Sequence, residues 1–162
     1  MKMMPLRWLL IVGLIGGLAG CGGDGDHAPD DAVVTAPSNQ STIVPPSGDR
    51  EIIYPNLDFH VKNSAGEPVP GVEIEFVASG GLFDAALTDR NGNLLDKGNP
   101  DYYKTDTDES GVARVSLRMT LPASGAEEVK SIGSVSANVG PASAVFTAEV
   151  TVQAAPTPTP TP

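Results

Sequence analysis

Apolar and polar side chains alternate in short runs separated by turn residues, and this pattern restricts the fold more than any other feature of the chain. Leu57-Asp58-Phe59-His60-Val61-Lys62 alternates as a strand with one buried face does, and Val72-Glu73-Ile74-Glu75-Phe76 repeats the pattern with its acidic residues outward. Ala113, Val115, Leu117 and Met119 alternate with Arg114, Ser116 and Arg118. Ala144, Phe146, Ala148, Val150 and Val152 alternate with Thr147, Glu149 and Thr151. Shorter candidate strands lie at 32–36, 102–105 and 129–139. Between them stand Asn63-Ser64-Ala65-Gly66, Asp108-Glu109-Ser110-Gly111, Ser124-Gly125 and Gly140-Pro141, all turn chemistry. No helical period appears beyond residues 8–18, and no internal repeat is visible. The expected fold is all-β, an antiparallel sandwich of about seven strands in a single copy.

The chain has one cysteine, Cys21, so no intramolecular disulfide is available and the fold must be held by core packing. Cys21 follows Leu18, Ala19 and Gly20 at the end of an apolar run from Trp8, which Lys2 and Arg7 precede. This arrangement resembles a bacterial lipoprotein signal. The resemblance implies recognition of Leu18, Ala19 and Gly20 by a signal peptidase, cleavage before Cys21, and acylation of Cys21. Several acyl chains together anchor stably, each buried methylene contributing ~0.8 kcal/mol. Two other readings remain open: an uncleaved anchor, although the run falls short of the roughly 20 apolar residues of a spanning helix, and an ordinary secretory signal with Cys21 incidental. Gly22 stands where, in enterobacteria, an Asp favours retention in the inner membrane. By that analogy the outer membrane is the expected address.

The expected organisation is a signal at 1–20, a lipidated Gly/Asp-rich tether at 21–31, a β-domain at 32–153 and a Pro/Thr tail at 154–162. Alternating prolines exclude helix and sheet pairing, so the tail is expected as extended chain: a stiff spacer, a glycosylated stalk, a docking peptide or a disordered end. The whole chain has 10 basic and 20 acidic residues; the signal removes Lys2 and Arg7 and no acid, leaving 8 against 20 and a formal charge of −12. That balance disfavours nucleic acid and anionic headgroups as partners. The only tryptophan, Trp8, leaves with the signal, so Tyr54, Tyr102 and Tyr103 are the candidates for stacking on sugars.

Two segments carry a family likeness. One is Gly66-Glu67-Pro68-Val69-Pro70-Gly71-Val72-Glu73-Ile74-Glu75-Phe76. The other runs from Thr105-Asp106 through Ser110-Gly111-Val112-Ala113. With Val135-Ser136-Ala137-Asn138-Val139 and the final strand they resemble a bacterial Ig-like domain of the invasin/intimin (Big-1) type over about residues 30–153. Transthyretin-like, carboxypeptidase-regulatory and collagen-adhesin B-type domains share the first pattern; the second turn and the C-terminal strands favour Big-1. The resemblance implies an Ig-like sandwich and a role in adhesion or as a stalk. Physically, Gly66 is expected to supply a positive φ, and Pro68 and Pro70 to mark a sheet edge or sheet switch. Gly71 is expected to relieve crowding at a bend, Gly111 to close the second turn, and Phe76 to enter the core. Residues 82–103 form a long insertion relative to that family, expected as a loop of functional interest.

Asp106, Asp108 and Glu109 are spaced somewhat like calcium ligands, but no twelve-position loop with a terminal bidentate Glu accompanies them, and a capped β-turn uses the same residues. Asp89, Asn91 and Asn93 repeat the spacing, and the two clusters are free to combine in space. His27 and His60 each lack a second histidine nearby. Glu73 and Glu75 share one strand face, whereas glycoside chemistry needs carboxylates across a cleft. No nucleophile elbow, phosphate loop, zinc spacing or dinucleotide fingerprint is present. The expectation is a non-enzyme without cofactor: a membrane-anchored binding, adhesion or structural module whose partner is an envelope or extracellular protein or a polymer. An accessory subunit docking an envelope enzyme, secretion or filament complex is the alternative.

Overall fold

The computed structural model describes residues 28–157. Leu18, Ala19, Gly20 and Cys21, most of the expected tether and the last residues of the tail lie outside them. Nine strands follow in order: β1 (Val33–Thr35), β2 (Gln40–Val44), β3 (Glu51–Lys62), β4 (Glu73–Ser79), β5 (Asp84–Thr88), β6 (Tyr102–Asp106), β7 (Val112–Thr120), β8 (Val129–Val139) and β9 (Ala142–Val152). No helix is present among the described residues.

The strands form two sheets, β1-β3-β7-β5 (sheet A) and β2-β9-β8-β4-β6 (sheet B). Labelled by position, these are the A-B-E-D and C-F-G sheets of an Ig-like sandwich, with an extra strand at each edge of the second. The protein is therefore an all-β, Ig-like sandwich. Every pair is antiparallel except β2 with β9, which run parallel over five residue pairs from Gln40↔Ala148 to Val44↔Val152. One detail departs from the usual order: the chain visits the D position with β5 before it occupies the edge beside β4 with β6.

The alternation read from the sequence is the alternation that packs. Leu57, Phe59, Val61, Ile74, Phe76, Leu117, Met119, Val135, Ala137, Phe146 and Val150 point between the sheets and are buried. Phe76 on sheet B meets Phe59 on sheet A edge-to-face, with centroids 5.2 Å apart, and Tyr54 tilts against Phe146 at 5.9 Å. These aromatic pairs pack one sheet against the other in a chain whose single cysteine allows no intramolecular disulfide.

β2 and β5 are the strands absent from the sequence reading. The 82–103 segment is accordingly not one loop: β5 lies within it and β6 begins inside it. Pro68 and Pro70 do mark a sheet switch, since the chain leaves β3 in sheet A and enters β4 in sheet B across them. Gly71 is required for a different reason from the one expected. Nothing lies within 4 Å of a Cβ placed there, so crowding is not the issue; its φ of 69° is.

Candidate functional site: two poles, three capped turns and two unlike faces

The chain enters and leaves the sandwich at opposite poles. At the first, Asp31 Oδ2 accepts the N–H and the hydroxyl of Ser64 at 3.1 and 2.6 Å, and Ala28 lies beside Gly140 of the β8–β9 turn. From that turn β9 runs eleven residues to Val152, about 35 Å along the strand. At the second pole Gln153 donates its N–H to Val44 O at 2.9 Å, and Ala155 donates to Gly125 O at 2.8 Å.

Arg50 organises the second pole. Its guanidinium donates to Ser124 Oγ at 2.8 Å, to Pro122 O at 3.3 Å and to Pro46 O, while Ser124 Oγ donates to Pro46 O at 3.0 Å. The β2–β3 and β7–β8 connections are thereby tied to one another. Sequence reasoning passed over Arg50; the Pro45-Pro46 and Pro122 flanks, which cap short loops with free carbonyls, were the available signal.

The acidic turns resolve into one repeated device. Asp108 Oδ1 accepts the N–H of Ser110 at 2.8 Å and of Val112 at 3.0 Å. Asp89 Oδ1 accepts from Asn91 and Asn93 at 2.8 and 2.9 Å, and Asn63 Oδ1 from Ala65 and Glu67 at 3.0 and 2.9 Å. In each, a glycine three residues on holds positive φ: Gly66 at 83°, Gly92 at 81° and Gly111 at 69°. Only Gly111 is also crowded, since a Cβ there would sit 2.6 Å from Val61 O. The Asx cap turns Asp108 Oδ1 onto backbone donors, the structural use of such a residue in a tight turn. Among the described residues no three His, Cys, Asp or Glu side chains gather at metal-binding distance.

The outer face of sheet A is charged and partly covered. Arg114 forms a two-pronged pair with Asp58, its Nη2 2.9 Å from Asp58 Oδ2. Hydrogen bonding from Arg114 holds the Asp58 carboxyl below its ordinary range. Arg118 reaches Glu51 at 3.3 Å. The Asp89–Asn93 turn folds back over this face, bringing Gly92 against Ile53 and its carbonyl 3.5 Å from Arg118 Nη1. Beneath it is a cavity of about 290 Å³ walled by Thr88, Asn91, Arg114 and Ser116 among others. Thr88 is fully buried and its hydroxyl has no partner. His60 stands exposed on the same sheet, opposite Thr35 and Val112.

Sheet B's outer face differs. Glu73 and Glu75 both pair with Lys104 of β6, at one corner. That pairing raises the lysine's affinity for its proton and fits a solvated edge better than an acid–base pair. Tyr54 is buried, its hydroxyl donating to Thr42 Oγ1 at 2.9 Å, and Tyr103 packs against the core. Of the three tyrosines expected as sugar platforms, only Tyr102, opposite Val77, is placed on an outer face.

Neither a protein-family model nor a curated protein sequence matches the chain. Among solved structures it is similar to AggA, the major subunit of aggregative adherence fimbriae type I from Escherichia coli, at 10% identity over 78% of this chain and 99% of that one, TM-score 0.44. It is similar to an ASH/PapD-like domain of human CEP192 at 11% identity over 96% and 100%, TM-score 0.37. The periplasmic chaperone SfaE is similar at 12% identity over 78% of this chain and 59% of that one, TM-score 0.36. The Ig-like assignment rests on strand order and register rather than on these likenesses. No described helix is long and apolar enough to cross a membrane.

Proposed function

We propose that the protein is a lipid-anchored, non-catalytic Ig-like module of the bacterial cell envelope, of Big-1 type, that holds a binding or adhesive surface away from the membrane. The observation that carries this reading is the serial placement of the chain ends. The segment leading back to Cys21 joins one pole of the sandwich, and the Pro/Thr tail leaves from the other. A domain arranged in that way acts as a spacer, and its far pole carries the Arg50-tied loops outward. The envelope address follows from the signal-like Leu18-Ala19-Gly20-Cys21. The outer membrane follows from Gly22, and the partner is an envelope or extracellular protein or polymer.

The test is fractionation of cells making the full chain or Cys21→Ser, with incorporation of a clickable fatty acid as a second readout. The expected result is labelled, membrane-bound parent protein and unlabelled, released Cys21→Ser. Membrane retention of Cys21→Ser without label would overturn the lipid anchor in favour of an uncleaved helix.

A further inference from the structure

Large aliphatic side chains exposed to solvent are not spread evenly over this sandwich. Val77 of β4, Ile132 of β8, Val145 of β9 and Ile43 of β2 are all exposed. Register places them on one side of sheet B: Val77 and Val145 both stand opposite Ser136, Ile132 stands opposite Glu149, and Ile43 stands opposite Thr151. Leu82, in the β4–β5 turn, is 77% exposed and lies at the rim of that face, held there by its N–H donating to Ser131 Oγ at 2.8 Å.

Around Val77 and Val145 the outward positions carry no charge: Ser134, Ser136 and Asn138 on β8, and Ser143 and Thr147 on β9; Glu149 stands between Ile132 and the β2 edge. Charges stand at two corners, where Glu73, Glu75, Lys104 and Asp106 form one and Lys130 and Glu149 flank Ile132 at the other. In a chain of net charge −10, an uncharged centre of this size is a local depletion of the kind that marks the core of an interface. Sheet A's outer face also exposes Val33 and Ile53, but these are separated by ion pairs and Ile53 lies against the covering Asp89–Asn93 turn.

Leu82 is itself one wall of a shallow, mainly apolar cavity of about 520 Å³, whose other walls are Gly81, Lys130, Ser131, Ile132 and Glu149. An exposed leucine and the open cavity between it and Ile132 thus share a single face. A surface carrying both halves of a contact is self-complementary under a twofold axis, each copy filling the other's cavity. Size agrees as well. Five strands about 4.8 Å apart, two of eleven residues, one of seven and two of five, give a face on the order of 600 Å². A standard interface takes about 800 Å² from each partner. An uncharged centre also lets two acidic copies approach without repulsion where they touch most closely.

We infer that the outer face of sheet B docks a second copy of this chain, face to face, with Leu82 of each copy seated beside Ile132 of the other. This goes beyond the anchored-module reading and does not depend on the lipid.

The experiment uses the full chain in intact cells. Single variants Val145→Cys, Ser136→Cys and Ile132→Cys are treated with a short bis-maleimide, with His60→Cys on sheet A as the control face. The parent chain controls for any band formed through Cys21. The expected result is a covalent dimer from at least one sheet-B position and none from His60→Cys. The band is lost when Leu82→Asp and Ile132→Asp are added to Val145→Cys, with the melting temperature unchanged because both side chains are exposed. Three outcomes overturn the inference: no dimer from any sheet-B position, an equal dimer from His60→Cys, or a sheet-B band whose mass corresponds to a foreign partner. A dimer that survives the two aspartates overturns the Leu82–Ile132 seat.

Discussion

Ser116 Oγ accepts the backbone N–H of Asn56 at 3.2 Å. Asn56 has φ 54° and is the only non-glycine residue among those described with a positive φ. Pro55 precedes it, and pairing of β3 with β7 breaks between Tyr54 and Leu57. Two residues that would interrupt a ladder are thus placed together in one bulge, and the side chain of β7 opposite supplies the acceptor that the ladder no longer does. Ser116→Ala should cost ~1–2 kcal/mol by leaving that N–H unpaired. Asn56→Val should cost a similar ~1–2 kcal/mol through left-handed strain, and Asn56→Gly markedly less. Urea unfolding of the three variants checks the order; a harmless Asn56→Val would remove the strain argument.

Thr88 presents the reverse situation. Its hydroxyl is buried under the Asp89–Asn93 turn without a partner. Thr88→Val keeps the shape and removes the desolvated group, so stability should rise by about 1 kcal/mol. A loss of stability would mean that the hydroxyl has a partner, such as bound water in the adjoining cavity.

The capped turns separate a structural carboxylate from a cation ligand. Asp108→Asn retains the accepting oxygen and should be nearly neutral, whereas Asp108→Ala should cost ~1 kcal/mol. Millimolar calcium should leave the melting temperature of the parent unchanged. A calcium-dependent rise that Asp108→Asn abolishes would restore Asp106, Asp108 and Glu109 as ligands.

Three carboxylates are held below their ordinary range by hydrogen bonds: Asp31 by the Ser64 side chain, Asp58 by Arg114 and Asp89 by the Asn93 side chain. A depressed folded value stabilises the fold above the unfolded value of ~3.9. That contribution is lost as pH falls through the folded values. Stability should therefore be flat near neutrality and fall below about pH 4. In Asp58→Asn the fall should be shallower, as read from urea midpoints across that range; an identical slope would show that the Arg114 pair does not contribute.

The extent to which the fold was legible follows from how each strand is buried. β8 was read with its observed bounds because Gly140-Pro141 punctuates it and its inward residues from Ser131 to Val139 alternate without a break. β5 was missed because Asp84–Thr88 does not alternate. Its last three residues are all buried, the outward ones by a turn that folds back from beyond the strand's end. No local pattern encodes such cover. β2 was missed because Gln40–Val44 is largely exposed and hydroxyl-rich, and its pairing with β9 spans more than a hundred residues. In the candidate site, the turn carboxylates were visible as a spacing, but the choice between cap and cation depended on where Oδ1 points. The apolar face of sheet B was invisible in the sequence, since Val77, Ile132 and Val145 come together only through register.

The parallel β2–β9 pair has a mechanical meaning. β2 follows the point where the chain enters, and β9 ends where the chain leaves at the opposite pole. A pull between the ends therefore drags β2 and β9 in opposite senses along their common axis. All five residue pairs resist together, as bolts in a lap joint do, rather than opening one after another like a zipper. Antiparallel pairing of the same two strands would place both loaded ends at one side and allow them to peel. If the module is held by one end and engaged at the other as proposed, its one parallel strand pair is loaded in shear.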